Sequence, residues 1–207
     1  MKIVITGCDY VGLVTGACFS HLGIDVVFVD TDDKKIDALN NGIIPFFEPG
    51  LEEMLLQNMK KGLLSFTTDI ATAITDAKIL FITNNRSQDE DAKAALNYAL
   101  TVANECGRHM DDYIMLVTKG IMPVGTAAKI RATVQQELNK RNVHIEFDVA
   151  SNPAFLKEGS AIDDFLMPGK IVVGLENTRA KMLMQGLYKP FTLNGHSLVF
   201  VDLISSP

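Results

Sequence analysis

Apolar and polar positions follow two rhythms along this chain. Lys2-Ile3-Val4-Ile5-Thr6 is a short β-branched run stopped by Gly7, which predicts a strand covered on both faces. From Tyr10 to Leu22 the spacing is helical. Gly12, Gly16 and Ala17 are small enough to let that helix lie close on a sheet, and Gly23 supplies the stop. Val26-Val27-Phe28-Val29 is a second strand run, ending in Asp30. Strand, helix and parallel strand within about thirty residues make a βαβ unit with a right-handed crossover.

The alternation continues. Helices are expected at Lys34 to Asn40, from Glu48-Pro49-Gly50 through Met59, and at Ala92 to Cys106, Thr126 to Leu138 and Arg179 to Leu187. Strands are expected at Lys78 to Thr83, Tyr113 to Thr118, Phe147 to Ala150, Ile171 to Val173 and Ser197 to Val201. Interleaving of this kind predicts an α/β, Rossmann-like fold: a doubly wound, mostly parallel sheet with helices on both faces. No repeat, low-complexity tract or linker interrupts it, so residues 1–207 are expected to form a single domain. The sequence stops directly after the last strand run, at Asp202-Leu203-Ile204-Ser205-Ser206-Pro207, which fits either a cut chain or a naturally short one.

Composition narrows the function classes. The 207 residues, 47% hydrophobic and 21% charged, are too apolar for disorder and long enough to bury a real core. A net charge of -6 and a pI of about 5.2 weigh against nucleic acid and against an anionic membrane surface as partners. Cys8, Cys18 and Cys106 are odd in number and form no CxxC pair, which fits a reducing cytoplasm rather than disulfides or zinc. Cys18 and Cys106 fall on helices among apolar neighbours and read as core. His21, His109, His144 and His196 lack metal-ligand spacing, so no metal is expected. No run reaches the roughly 20 apolar residues of a membrane helix, and the N-terminus lacks a signal-peptide layout. A cytoplasmic protein is expected.

The first β-to-α turn carries the candidate chemistry. Gly7 and Gly12 occupy the first and third positions of GxGxxG, the turn that lets backbone approach a pyrophosphate at a helix N-terminus. Asp9 holds the middle position, adding a side chain and a negative charge. Unit charges ~4 Å apart repel by roughly 4 kcal/mol at an effective dielectric of ~20. Asp30, ending the second strand, lies where an acid holds both ribose hydroxyls and rejects a 2′-phosphate, favouring NAD over NADP. The same residues also fit plain tight packing for Gly7 and Gly12 and a turn at Asp30.

Further along, Tyr10-Val11-Gly12-Leu13-Val14-Thr15-Gly16-Ala17-Cys18-Phe19 is followed by Asn40-Asn41-Gly42, Glu48-Pro49-Gly50-Leu51-Glu52 and Phe66-Thr67-Thr68-Asp69. Then come Val117-Thr118-Lys119, Pro123-Val124-Gly125-Thr126, Ala150-Ser151-Asn152-Pro153, Phe155-Leu156-Lys157-Glu158-Gly159-Ser160-Ala161 and Asp164-Phe165-Leu166. In this order, over essentially the whole chain, the motifs resemble the UDP-glucose/GDP-mannose dehydrogenase family, most strongly its UDP-glucose branch. The resemblance implies oxidation of the C6 alcohol of a UDP-sugar to a carboxylate with two NAD, through a cysteine-bound thiohemiacetal and thioester. It implies that Gly7, Tyr10, Val11 and Gly12 form the pyrophosphate turn and that Asp30 and Lys35 hold the adenosine end. Thr83 is a further candidate near the cofactor. Thr118 is implied beside the nicotinamide, positioning a water, and Glu158 between NAD and substrate. Phe155, Leu156, Lys157 and Glu158 would line the sugar-nucleotide site. The blander readings are a solvated helix charge for Lys35, a strand-end hydroxyl for Thr118 and a surface acid or cap for Glu158.

Three departures cut against full activity. Ala154 stands where the family has a glutamate acid/base, a group typically worth ~100- to 10,000-fold in rate. Thr83-Asn84-Asn85-Arg86-Ser87 replaces a Val-Gly-Thr-Pro-like turn, and Gly120-Ile121 replaces Ser-Thr. The family's nucleophilic cysteine, its partner aspartate and its central-helix lysine and asparagine have no counterpart here. The expectation is the NAD-binding part of such an enzyme, inactive by itself and homodimeric only in a full-length form. The alternatives are a degenerate nucleotide- or partner-binding domain, or a UDP-mannosamine or GDP-mannose enzyme.

Overall fold

The computed structural model describes residues 1–83, 92–120 and 122–203. Their strands, in chain order, are β1 (Lys2–Thr6), β2 (Asp25–Val29), β3 (Leu64–Thr67), β4 (Ile79–Thr83), β5 (Ile114–Lys119), β6 (Phe147–Ser151), β7 (Lys170–Leu175) and β8 (Ser197–Asp202). The helices are α1 (Tyr10–His21), α2 (Asp33–Asn40), α3 (Leu51–Lys60), α4 (Ile70–Ile74), α5 (Ala92–His109), α6 (Thr126–Arg141), α7 (Ala161–Leu166), α8 (Thr178–Leu187) and α9 (Lys189–Leu193). The sheet runs β3-β2-β1-β4-β5-β6-β7-β8. Every pairing is parallel except β6 with β7, which meet antiparallel at Ser151 and Gly174.

The period of two along each strand sorts its side chains into two cores. Ile3, Ile5, Phe28, Phe81 and Val117 face one way and join α1, α3, α7 and α8. Val4, Leu80, Ile82, Leu116 and Val149 face the other way and join α4, α5 and α6. β1, β4 and β5 are therefore covered on both sides, which is why their sequences are nearly all apolar.

Helix α1 is buried from Tyr10 to Ser20, wedged between sheet, α3 and α7, and accordingly is apolar all round rather than striped. Phe19 meets Phe165 of α7 edge-on at 5.1 Å and Phe81 of β4 at 5.7 Å. At Gly16 the helix passes so close to β2 that a Cβ there would sit 2.1 Å from the Phe28 ring. That ring is stacked on Phe66 of β3 at 5.0 Å.

The sequence reading missed four short elements, β3, α4, α7 and α9. Each has four to six residues, too few for a period to declare itself against flanking loops. β3 forms because β2 offers it a ladder from Val26↔Leu64 to Val29↔Thr67. Asp69 then starts α4 by accepting from the Thr72 amide at 3.2 Å.

Gly16→Ala is expected to lower stability by about 1 kcal/mol or more, because overpacking against the Phe28–Phe66 stack outweighs the helix-propensity gain. Equilibrium urea unfolding of the two proteins checks this; an unchanged or raised midpoint would show that Phe28 yields freely.

Candidate functional site

Parallel pairing lines up the carboxyl ends of the central strands. Thr6 lies beside Ile82, Thr83 beside Lys119, and Thr118 beside Ser151. The strand order reverses between β1 and β4, so their carboxyl ends open the crevice where doubly wound sheets take ligands.

At the head of that crevice the β1–α1 turn is tight. Gly7 has φ +94°, a conformation that side chains disfavour, and its amide donates to the Val29 carbonyl at 2.9 Å. A Cβ on Gly12 would lie 1.9 Å from the Gly7 carbonyl oxygen, so only glycine allows this approach. The Thr83 hydroxyl sits beneath, donating toward the Thr6 and Gly7 carbonyls at 2.8 and 3.2 Å. It braces the turn from below. Tyr10 and Val11 begin α1, both largely buried.

Asp9 is extended (φ -97°, ψ -171°), so its position does not itself require glycine. Its carboxylate accepts from the Gly12 amide at 3.3 Å and caps α1. The chain thus directs a carboxylate of its own at the helix N-terminus, where the partial positive charge of the peptide dipoles would otherwise meet a phosphate.

Asp30, after β2, reaches back to this turn. It accepts from the Cys8 amide at 2.9 Å, the Asp32 amide at 3.1 Å and the Lys35 ammonium at 2.7 Å. Burial works to raise its pKa, but Lys35 and the two amides outweigh it and hold the carboxyl below its usual range. Burial likewise works to depress Lys35, and Asp30 reverses it. Asp30 and Lys35 thus form an ion pair at one end of the crevice. Cys8, inside the turn, has its thiol pushed far up by burial and then by Asp30.

Thr118 is buried at the end of β5, its hydroxyl 3.5 Å from the Ala150 carbonyl. With Ser151, Pro123, Val124 and Leu203 it lines a mostly apolar cavity of about 290 Å³ beside the start of α6. Past β6 the chain crosses the carboxyl edge. There Phe155, Lys157 and Glu158 are exposed, while Leu156 packs against the core. Glu158 thus stands on the surface of this edge.

The segment is held by an acid that the sequence reading quoted only as a helix opening. Glu48, 3% exposed, accepts from the Tyr10 hydroxyl at 2.6 Å, the Gly159 amide at 2.7 Å and the Ala161 amide at 2.9 Å. Burial works to raise its pKa, yet these three donors prevail and keep it below the usual carboxylate range. No local signal marks Glu48, because two of its partners lie more than 110 residues away.

The profile of the UDP-glucose/GDP-mannose dehydrogenase family NAD binding domain matches residues 1–192. The chain belongs to this family. It is 40% identical over 203 residues to a UDP-glucose 6-dehydrogenase of Rhizobium meliloti, covering 97% of this chain and 46% of that protein. A Pseudomonas aeruginosa UDP-glucose 6-dehydrogenase is 38% identical over 194 residues, with 94% and 43% covered. Among solved structures, a UDP-glucose dehydrogenase from the archaeon Pyrobaculum islandicum superposes with TM-score 0.87 at 30% identity, over 98% of this chain and 46% of that one. A GDP-mannose dehydrogenase from Pseudomonas aeruginosa gives 0.86 at 30%, over 98% and 47%. The chain thus spans less than half the length of these relatives.

Within this family frame, a second group at the carboxyl edge stands out. Lys119, at the end of β5, is 4% exposed. It donates to the Asn152 side-chain oxygen at 2.9 Å and lies 5.3 Å from the centre of the Phe165 ring. Asn152 also accepts from Tyr188 at 2.5 Å and donates to the Val172 carbonyl at 2.8 Å. The three side chains lock β5, β6 and α8 together where β6 and β7 turn antiparallel. They border a cavity of about 50 Å³ that Ala154 also lines. Burial pulls Lys119 down to about 7, against an opposing pull from Cys18. Cys18 and Cys106 are fully buried, with burial pushing both thiols up to about 12. The Asn84 to Ser87 turn and Ile121 fall outside the described residues.

Lys119 sheds its proton on folding above pH 7, whereas the unfolded chain keeps it until near 10.5. The unfolded state then binds more protons, so stability should rise with pH. Between pH 7 and about 8, where the thiols of the unfolded chain are still mostly protonated and barely oppose the trend, the slope should approach ~1 kcal/mol per pH unit. Lys119→Met should flatten it, with Asn152 keeping Tyr188 as donor. Denaturant melts across that range test it; equal slopes in both proteins would mean that Lys119 stays charged.

Proposed function

We propose that this chain is the NAD-binding part of a UDP-glucose 6-dehydrogenase, forming one domain over residues 1–207. A single observation carries the reading. The β1–α1 turn is shaped at the strand-order reversal by Gly7 and Gly12, with Asp30 hydrogen-bonded to the same turn. That cradle fits a dinucleotide. Gly12 leaves no room for a side chain, α1 presents its N-terminal amides, and Asp30 is an ionised acceptor at the ribose position.

In this reading the backbone of Gly7, Tyr10, Val11 and Gly12 takes the pyrophosphate, and Asp30 with Lys35 holds the adenosine end. Thr83 acts through the turn that it braces. Thr118 stands beside the nicotinamide, Glu158 stands between cofactor and sugar, and the backbone from Phe155 to Lys157 receives the UDP-sugar. Bound NAD supplies a hydride acceptor for the alcohol carbon. The described residues contribute binding, orientation and exclusion of water; Ala154 offers no group that can carry a proton. The complete oxidation, the dimer and the cytoplasmic setting belong to a longer protein that resembles the relatives in length.

Asp9 favours a second reading, a relative that has given up its cofactor. Its carboxylate already occupies the Gly12 amide that a phosphate would use.

Titration calorimetry with NAD, run beside Asp9→Gly, decides between the two. The expected result is binding by the native chain and at least about tenfold tighter binding by Asp9→Gly, since ~1.4 kcal/mol of relieved repulsion suffices. Stability should fall by only a few tenths of a kcal/mol, as glycine is itself a tolerable N-cap. Binding by neither protein would remove the dinucleotide reading. Equal affinities would remove the charge argument. The native chain mixed with NAD and UDP-glucose is expected to form no NADH above a blank, followed at 340 nm; turnover would show that the proton carrier is supplied from another residue.

A further inference from the structure

Glu48 is an ionised carboxylate in the interior with no cation on it among the described residues. Burying such a charge is costly unless hydrogen bonds replace its hydration, and here three donors do so from two distant parts of the chain. One is the hydroxyl of Tyr10, the first residue of α1 in the glycine turn. The others are the amides of Gly159 and Ala161, on the segment that crosses the carboxyl edge. The Lys157 carbonyl lies 3.3 Å from the same Tyr10 hydroxyl. Tyr10 is itself fixed by its ring, which packs on Phe46 at 5.1 Å beside Glu48. The helix that begins in the glycine turn and the segment carrying Phe155 to Glu158 therefore share one anchor, although Tyr10 and Lys157 are 147 residues apart.

A second tether acts on the same segment without reaching α1. The Asp164 carboxylate, on α7, accepts from the Lys157 amide at 2.9 Å and the Ser160 hydroxyl at 3.3 Å. This tether is local, seven residues in span. Asp164 ties the segment to α7, whereas Glu48 ties it to the turn.

We propose that Glu48 is a positioning residue that couples occupancy of the glycine turn to the conformation of the 155–161 segment, with the Tyr10 hydroxyl as the link. A ligand seated on the turn fixes the first residues of α1. That fixes Tyr10, Tyr10 fixes Glu48, and Glu48 holds the Gly159 and Ala161 amides. The anchoring of the segment stands independently of which ligand the turn takes; the coupling to NAD rests on the function proposed above.

Amide hydrogen exchange resolved by residue tests both parts, with the native chain, Tyr10→Phe, Glu48→Gln and Asp164→Asn compared at matched global stability. Tyr10→Phe keeps the ring and removes only the link. Glu48→Gln keeps the shape but turns an NH2 group toward donors. Without ligand, Gly159 and Ala161 should exchange at least about tenfold faster in Glu48→Gln than in the native chain. Saturating NAD should slow both amides at least about fivefold in the native chain and in Asp164→Asn, and leave them unchanged in Tyr10→Phe while still protecting the Val11 amide. Equal protection of Gly159 and Ala161 in Tyr10→Phe would overturn the coupling, as would no change in the unliganded Glu48→Gln exchange. Should NAD protect nothing in the native chain while Glu48→Gln still exchanges faster, the dinucleotide reading and the NAD coupling would fall and the anchor would stand.

Discussion

The close approach of α1 to the end of β1 governs the geometry of the whole carboxyl edge. Because the Gly12 backbone comes against the Gly7 carbonyl, the helix enters the sheet at a shallow separation, and its buried length can pack against β2, α3 and α7 together. That contact sets where the α1 amides point, and it brings Tyr10 to Glu48 and Phe19 to Phe165. A helix held even a methyl group further out would lose the Tyr10–Glu48 bond, which at 2.6 Å has little slack.

Among the described residues, hydrogen bonds from neutral groups meet much of the charge at this edge. Asp30 has a lysine beside it, but also two backbone amides. Among the described residues the donors to Glu48 are neutral, and Asp9 accepts from the Gly12 amide at the helix N-terminus. Lys119, the one strongly depressed cation among the described residues, has a neutral amide oxygen as its partner. Each group is thereby held in one orientation. The three acids mark three stations along the edge: the end of β2, the start of α1, and the crossing segment after β6. With Asp9 in its turn this edge keeps its architecture, because the capping carboxylate stabilises α1.

Much of this was legible in the residues. The runs at Ile3 to Ile5, Val26 to Val29 and Ile79 to Ile82 are long enough and apolar enough to declare buried parallel strands, and Gly7, Gly12 and Asp30 announce the turn by spacing alone. The family motifs drew attention to the crossing segment, where Phe155, Lys157 and Glu158 are exposed on the edge. Three roles read differently in the fold. Thr83 turns its hydroxyl under the glycine turn, Asp9 caps a helix, and Glu48 does far more than open α3.

What the sequence determined alone is what short-range physics determines: strand and helix periods, the glycine turn, the acid that follows β2, and the family. What the tertiary structure decided is every relation between parts distant in the chain. The ladder on β2 made a strand of Leu64 to Thr67. The reversal after Ser151 turned β6 against β7 and placed Asn152 between Lys119 and Tyr188. Glu48 met Gly159 and Ala161 across the edge. A hydrogen bond of this kind depends on positions fixed by the packing of α1, α3 and α7 against the sheet, and no window of neighbouring residues contains that information.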